Sequence, residues 1–268
     1  YNSLEKYTSS LDNAIKEPSR EYNKIGVYSD GYYKQINENI LQIENEYYST
    51  VRPKPNPAIK SRPSKALKKG GVNYIELRSI DNNIYSNTGI DLEQMYFIEL
   101  MIIFSLIKSD DEISDKEYLE IKSNLTNVAH NGRNKKFHLK ISGKDIPISE
   151  VLENNLKDLK DIGNFMFKVT NDKKYKECVE KQEMKIKDNS KIPSNIVINS
   201  MTKDKISFYE YCMKNIWKQK KYFNSIDIDK NFIKKLELEK IKSLKEKRML
   251  EENTEESYEE YIKKYFLD

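Results

Sequence analysis

Hydrophobic and polar residues alternate along two short segments in the first third of the chain, at residues 40–48 and 74–78. A repeat of two residues is typical of a half-buried strand, because successive side chains point to opposite faces of a sheet. The pattern therefore predicts two strands, each with one apolar and one polar face. The predicted polar face carries Gln42, Glu44, Glu46 and Tyr48 from the first strand and Tyr74, Glu76 and Arg78 from the second.

This polar face combines side chains that suit a metal ion and a phosphate. Magnesium prefers carboxylate oxygens, and a guanidinium group binds phosphoryl oxygens through its planar fork of donors. Glu76 and Arg78 are two residues apart, so on a strand their side chains project side by side, about 7 Å apart. The same alternation is also typical of the solvated face of an ordinary antiparallel sheet. From the pattern alone, both interpretations stay open.

Helical patterns occupy most of the remaining chain. A first helix is predicted over residues 3–16, ended by Pro18, and a loop or short hairpin is predicted over residues 26–35 around Asp30 and Gly31. Four prolines predict an extended loop over residues 52–63, between the two strands. A brief strand is predicted at 137–141, and the later helices cover 91–108, 115–129, 149–169, 173–187, 194–202, 206–221, 230–251 and 255–266.

Together these elements predict an α+β fold, in which part of an antiparallel sheet is followed by a mainly helical C-terminal region. We expect the sheet with the site strands within residues 1–90 and the helical region, packed on the sheet, within residues 91–268. The apolar stretch at 95–107 is shorter than the run of about 20 residues that crosses a bilayer. It therefore predicts a helix buried in the core and capped by Asp91, and no membrane partner is expected.

Composition narrows the class of partner and the compartment. Lysine and arginine total 47 against 43 acidic residues, so the net charge of +4 arises from mixed charges. Nucleic-acid-binding proteins usually carry a basic stripe or a recognisable module, and we expect no nucleic-acid partner. The two cysteines, Cys178 and Cys212, predict no disulfide framework and fit a cytoplasmic location.

Two long motifs resemble those of the proteobacterial-type glutamate–cysteine ligases, also called γ-glutamylcysteine synthetases. They are NILQIENEYYSTVRPK at residues 39–54 and ALKKGGVNYIELRSID at residues 66–81, followed by GID at 89–91. Weaker similarity covers nearly the whole chain, which aligns with about the C-terminal half of such a ligase. The chain also begins with Tyr1 and has no apolar leader over residues 1–15. We therefore expect a fragment, or one half of a split protein, whose missing N-terminal half supplies further metal ligands and much of the substrate pocket.

The resemblance implies a glutamine-synthetase-like ligase core and the first step of glutathione biosynthesis. Similar enzymes transfer the γ-phosphoryl group of ATP to the side-chain carboxylate of L-glutamate. The amino group of L-cysteine then attacks this γ-glutamyl phosphate and forms γ-glutamylcysteine. The implied cofactor is Mg²⁺, with Mn²⁺ as an alternative, and the fragment alone is expected to be inactive.

The resemblance also implies roles for individual residues. Glu76 matches a magnesium ligand of the family, Arg78 matches the arginine that contacts the transferring phosphate, and Tyr48 matches a tyrosine that lines the cysteine pocket. The sequence departs from the family pattern at residues 82–85, which bears on the loop after the site strand more than on the chemistry. Further candidates for lining the site lie in the first motif: Glu44, Glu46 and Arg52.

Two other functions remain open from the sequence. The chain could be a non-catalytic helical fragment or the remnant of a decaying gene, because one strand with a Glu-x-Arg motif says little about an absent half. The DNA upstream of the codon for Tyr1 would distinguish these cases. An in-frame first half indicates a truncated sequence, and a stop codon or frameshift indicates a remnant. The chain could also belong to a related carboxylate–amine ligase with another amine acceptor. Competition between cysteine and other amines in the complete enzyme would distinguish that case.

Overall fold

A computed structural model describes residues 2–59, 61–108, 112–252 and 256–267 of the chain. Within these residues the fold is mainly helical, with three two-stranded antiparallel ribbons. The chain divides into two units, of which the first combines Tyr1–Asp81 with Asp227–Asp268 and the second is Asn82–Ile226. The functional division into residues 1–90 and 91–268 stays a prediction.

The first unit contains the two motifs and two helices from the end of the chain. Its N-terminal helix begins after Ser3, whose side chain accepts a hydrogen bond from the backbone of Lys6, as expected of an N-cap. The predicted hairpin is confirmed, because Asp30 and Gly31 both adopt positive φ between its strands, which a tight hairpin turn requires. In chain order the elements are α1 Leu4–Ala14, α2 Arg20–Asn23, β1 Tyr28–Ser29, β2 Tyr32–Tyr33, β3 Val51–Lys54, α3 Pro63–Gly70, β4 Tyr74–Leu77, α10 Lys230–Glu252 and α11 Tyr258–Leu267.

A small apolar core holds α1 against α3. Tyr7, Leu11 and Leu67 are buried at its centre, and Leu41 and Tyr47 pack against them. These last two residues come from the first motif, so the core anchors that segment beside α3. The helix predicted at 230–251 is confirmed as α10, which is exposed along its whole length.

The second unit is built around α4, α6 and α7. Its core is formed by Leu100 of α4 with Leu159 of α6 and with Cys178 and Val179 of α7, all nearly inaccessible to solvent. Cys178 is buried as a free thiol, and Cys212 is also a free thiol. In chain order the elements are α4 Leu92–Ile107, α5 Asp115–Asn131, β5 His138–Ile141, β6 Lys144–Pro147, α6 Ile148–Thr170, α7 Lys174–Lys187, α8 Pro193–Asp204 and α9 Phe208–Asn224.

The helix α4 shows where the prediction of a core helix was right and where it was wrong. Asp91 caps its start as predicted, and Gln94 completes a reciprocal capping box. Leu100 is fully buried, but Leu106 is 80% exposed. The cause is that α6 and α7 pack against one side of α4, whereas its apolar residues run around the whole helix. Within the described residues, no helix is both long enough and apolar enough to cross a bilayer.

The predicted strand at residues 40–48 is wrong. The backbone amide of Leu41 donates to the carbonyl of Ala14 at the end of α1, and that of Ile40 donates to the carbonyl of Glu17 just beyond it. The amide of Gln42 donates to the carboxylate of Glu46 at 2.8 Å. A short 3₁₀ turn, Glu44–Glu46, follows. In a strand, these backbone amides would donate to a neighbouring strand. Because they are bonded elsewhere, the alternating pattern here does not correspond to a sheet.

The predicted loop at residues 52–63 is wrong over its first residues, because Val51–Lys54 forms β3 and pairs with β4. Pro53 has no amide hydrogen, and a proline is tolerated in such a strand because a two-stranded ribbon leaves one edge without a ladder partner. The short strand predicted at 137–141 is confirmed as β5. Its partner β6 was not predicted, and the two are joined through Ser142 and Gly143, both at positive φ.

Candidate functional site

The ribbon of β3 and β4 brings the predicted strand of the second motif next to the end of the first motif. Its antiparallel register places Arg52 directly opposite Glu76, and Lys54 directly opposite Tyr74. Opposite residues of a ribbon share a face, and every second residue of a strand returns to that face. Arg52 and Lys54 therefore lie on the same face as Glu76 and Arg78, which makes this face rich in cations.

Glu76 is the single carboxylate among these four ribbon residues. Its Oε2 atom lies 3.5 Å from Nζ of Lys54 and 3.3 Å from Nε of Arg78. Burial raises the pKa of Glu76, but the positive charges of Lys54 and Arg78 outweigh that effect and hold the pKa below its ordinary value. Glu76 is therefore an ionised carboxylate at neutral pH.

Tyr48 also lies beside the ribbon, although the strand predicted for it does not form. The guanidinium carbon of Arg78 is 5.0 Å from the centre of the Tyr48 ring, within the range of a cation–π interaction. Tyr48 itself is 74% exposed. The structure thus brings together Tyr48, Glu76 and Arg78, the three residues to which the resemblance assigns roles.

Glu44 lies in a different environment from the polar face predicted for it. It is fully buried, and its carboxylate accepts hydrogen bonds from Nη1 of Arg62 at 3.0 Å and from the backbone and hydroxyl of Ser64 at 2.6 and 2.7 Å. Its backbone amide donates to the hydroxyl of Tyr265 in α11 at 3.2 Å. These bonds fix the turn that leads to Tyr48. Both carboxylate oxygens already accept hydrogen bonds from the protein. The role of Glu44 in lining the site stays a prediction.

The two remaining candidates differ from each other. Glu46 is exposed, and its carboxylate accepts the amide of Gln42, which closes the same turn. Arg52 is only 6% exposed, yet its Nε atom has no hydrogen-bond partner among the described residues. The lining roles of both residues stay predictions.

A metal ion is implied by the resemblance, and one atom of the ribbon fits it. The ion pairs of Glu76 with Lys54 and Arg78 both use Oε2, which leaves Oε1 of the carboxylate for a hard cation. Magnesium takes six ligands in near-octahedral geometry. Within the same residues, no group of three or more His, Cys, Asp or Glu side chains could hold a metal ion. Glu76 thus fits as one ligand among several, and the others have to come from substrate, from water or from residues outside the described ones.

The second unit contains an open cavity of about 700 Å³ with a different character. It is lined mainly by apolar side chains of α4, among them Met95 and Ile102. The one carboxylate in its lining, Glu99, accepts a hydrogen bond from the hydroxyl of Tyr175 at 3.0 Å, as expected for a charged residue on an apolar helix. This lining offers no cation for a phosphate.

Two residues that shape the site were not predicted. Lys54 follows Arg52 at a spacing of two, and this strand signal was hidden by the surrounding prolines. Arg62 lies 18 residues from its partner Glu44, and no local pattern connects them.

The chain is similar to known proteins in sequence. A profile of the glutamate–cysteine ligase family matches residues 1–128. The glutamate–cysteine ligase of Alcanivorax borkumensis is 31% identical over 273 aligned residues, which cover 100% of this chain and 52% of the relative. That of Leptospira interrogans is 33% identical over 251 residues, which cover 94% of this chain and 48% of the relative.

Similarity extends to a solved structure. The crystal structure of glutamate–cysteine ligase from Francisella tularensis in complex with AMP matches with a TM-score of 0.90 and 28% identity, over 99% of this chain and 53% of that one. The chain belongs to the glutamate–cysteine ligase family. It spans about half the length of the curated relatives that it matches.

Proposed function

We propose that this chain forms the C-terminal portion of an ATP-dependent ligase that joins the γ-carboxylate of L-glutamate to the amino group of L-cysteine. The observation that carries the proposal is the ion pair of Glu76 in β4 with Arg78, with Lys54 of β3 paired to the same carboxylate and Tyr48 against the guanidinium group. Family membership and the AMP bound by the Francisella relative support a nucleotide-dependent reaction. The names of the relatives support glutamate and cysteine as the substrates.

The chemistry of the reaction explains why this face has to be cationic. A carboxylate is a poor acyl donor, and its conversion into an acyl phosphate supplies a good leaving group. Phosphoryl transfer brings two anions together, so catalysis depends on positioning and on positive charge along the path. In our proposal Arg78 binds equatorial oxygens of the transferring phosphoryl group, and Lys54 holds the Glu76 carboxylate in place.

Glu76 is proposed as one ligand of Mg²⁺, for which Mn²⁺ can substitute. The bound metal ion would screen the charge of the nucleotide phosphates. The chain prepares this carboxylate for the role, because Lys54 and Arg78 keep it ionised and the ribbon fixes its direction. Its remaining ligands are proposed to come from ATP, from water and from the half of the ligase that this chain does not span.

Tyr48 is proposed to line the pocket for cysteine. Its ring is held against the guanidinium group of Arg78, which is proposed to bind the phosphate. A substrate amine in this pocket would therefore lie close to the acyl phosphate. Such placement converts a bimolecular attack into an intramolecular one.

We further propose that the β3–β4 ribbon is part of a larger, glutamine-synthetase-like antiparallel sheet. Each strand of the ribbon has one partner within the described residues, so each leaves an edge that further strands of the ligase can occupy. The free thiols of Cys178 and Cys212 support a cytoplasmic location for the reaction.

The proposal is tested with the assembled ligase. This term means the present chain combined with a polypeptide that corresponds to the other half of its relatives. ADP formation that requires both glutamate and cysteine supports the proposal. Faster ADP formation with another amine identifies a related carboxylate–amine ligase instead. If no amine supports ADP formation in a folded assembly, the chain is a non-catalytic fragment.

A further inference from the structure

Arg52 is a buried cation without a partner. It is 6% exposed, and within the described part of the chain it forms neither an ion pair nor a hydrogen bond through Nε. Arg62 in the same unit also has an Nε atom without a hydrogen-bond partner, but its Nη1 atom pairs with the carboxylate of Glu44 at 3.0 Å. Within the described residues, Arg62 therefore has a counter-ion and Arg52 has none.

An unpaired buried charge is unfavourable, and arginine cannot relieve the cost by losing its proton. Lysine or glutamate would become neutral in such a place, whereas guanidinium stays charged at all physiological pH values. An anion from outside the described residues would therefore stabilise this arrangement. The rigid fork of donors favours a planar or tetrahedral oxyanion, which is a carboxylate or a phosphate.

The position of Arg52 indicates where this anion lies. Arg52 is directly opposite Glu76 in the ribbon, on the face that also carries Lys54 and Arg78. The carboxylate of Glu76 is already placed between Lys54 and Arg78. The face thus has three cations and one anion, a net charge of +2, and Arg52 is the cation that has no ion pair within the described residues.

We propose that Arg52 binds an anionic oxygen group of a substrate, at a second anion position beside that of Arg78. The inference rests on the proposed function for the identity of the anion, which is either a phosphate of the nucleotide or a carboxylate of glutamate. Arg52 acts as a binding residue, and the phosphoryl group in transfer stays with Arg78. The residues on both sides of Arg52 are paired with β4. The backbone that carries the guanidinium is therefore fixed before substrate arrives.

The test follows the Nε–Hε resonance of Arg52 in the nitrogen–proton spectrum of the full 268-residue chain. This resonance is assigned by its disappearance in Arg52→Lys. Inorganic phosphate and ATP form one arm of the titration, and L-glutamate forms the other, all at matched ionic strength in sodium chloride. We expect the Arg52 resonance to shift and saturate in one arm, which identifies the source of the anion.

Two variants complete the test. Arg52→Lys keeps the charge and Arg52→Gln removes it, and both should weaken binding of the active anion by about tenfold or more, as expected for a lost bidentate pair. Arg20→Lys changes an exposed arginine and should leave the affinity unchanged. The inference is overturned if the Arg52 resonance of the original chain does not shift with any of the anions. This result does not depend on whether the variants fold.

This outcome is separable from failure of the proposed function. If the assembled ligase forms ADP with cysteine while Arg52→Lys keeps the same KM for ATP and glutamate, Arg52 binds no substrate and the ligase assignment stands. If the chain binds anions at Arg52 but the assembly forms no ADP with any amine, the anion site stands and the ligase assignment fails.

Discussion

The Nε atom of Arg78, the residue directly after β4, lies 3.3 Å from Oε2 of Glu76 within that strand. The pair is held from across the ribbon by Lys54, whose Nζ atom is 3.5 Å from the same oxygen. The carboxylate is thereby kept ionised and directed, while Arg78 retains donors for a further anion. Our account of the ligase site depends on this geometry, and the following substitutions test its parts.

Glu76→Gln should raise the Mg²⁺ concentration at which the assembled ligase is half-saturated. A neutral amide is a poorer ligand for a hard cation than a carboxylate. Loss of a partner outside the direct ligands already costs about 10–100-fold in metal affinity, so a change of at least about tenfold is expected. The measurement is ADP formation against Mg²⁺ concentration. Glu21→Gln, at an exposed carboxylate, is the matched control, and an unchanged Mg²⁺ dependence would remove Glu76 from the metal site.

Arg78→Lys should lower kcat much more than it changes KM for ATP. Lysine supplies one point charge and cannot reproduce the planar fork of donors. Removal of one donor to developing charge typically costs about 100-fold or more in turnover. Steady-state kinetics of the assembled ligase measure both constants. Arg20→Lys is the control, and a loss of only a few-fold in kcat would contradict the assignment of phosphate contact.

Glu44→Ala should destabilise the chain by about 3–5 kcal/mol, because it leaves Arg62 as an unpaired buried charge. Glu46→Ala removes an exposed acceptor from the same turn and should cost about 1 kcal/mol. Urea denaturation followed by circular dichroism gives both free energies of unfolding. If the two substitutions lowered the free energy of unfolding equally, Glu44 would contribute no more to stability than Glu46.

Asp12 provides a pH-dependent test of the same region. Burial raises the pKa of Asp12, but hydrogen bonds from Lys68 and Ser64 outweigh it and leave the pKa below the ordinary value of 3.8. Because the folded pKa is the lower one, the stabilisation is complete above the unfolded pKa. It is lost as the pH falls through the folded pKa.

Asp12→Asn should therefore reduce the free energy of unfolding by about 1 kcal/mol near pH 7. The difference between the variant and the original chain should shrink as the pH falls below about 4. Denaturant titrations at several pH values measure this difference, with Glu21→Gln as the control. A difference that grows at acid pH would contradict the assigned direction of the pKa.

The sequence was most informative where structure is local. The helix α4 begins where its capping residue Asp91 predicts, and the Asp30–Gly31 turn forms the expected hairpin. The failure at residues 40–48 has a physical cause, since alternation does not distinguish an exposed carboxylate from a buried one. Burial of Glu44 depends on Ser64, 20 residues away, and on Tyr265, 221 residues away.

The site was predictable in part for the same reason. Glu76 and Arg78 share one face of a strand, which a repeat of two residues can predict. The contribution of Lys54 depends on the pairing of β3 with β4, and prolines hide that strand in the sequence. The contact of Tyr48 with Arg78 depends on a turn set by Glu44 and could not be derived from local pattern.

The most direct test of the central claim is to locate the metal ion on the chain. In this experiment Fe²⁺ is supplied in place of Mg²⁺ to the assembled ligase with ATP, and ascorbate with peroxide then produces radicals that cut the backbone next to bound iron. We predict a cut within β4, Tyr74–Leu77, that disappears in Glu76→Gln and persists in Glu21→Gln. Cuts at other segments of the chain, with none in β4, would contradict a metal site at Glu76.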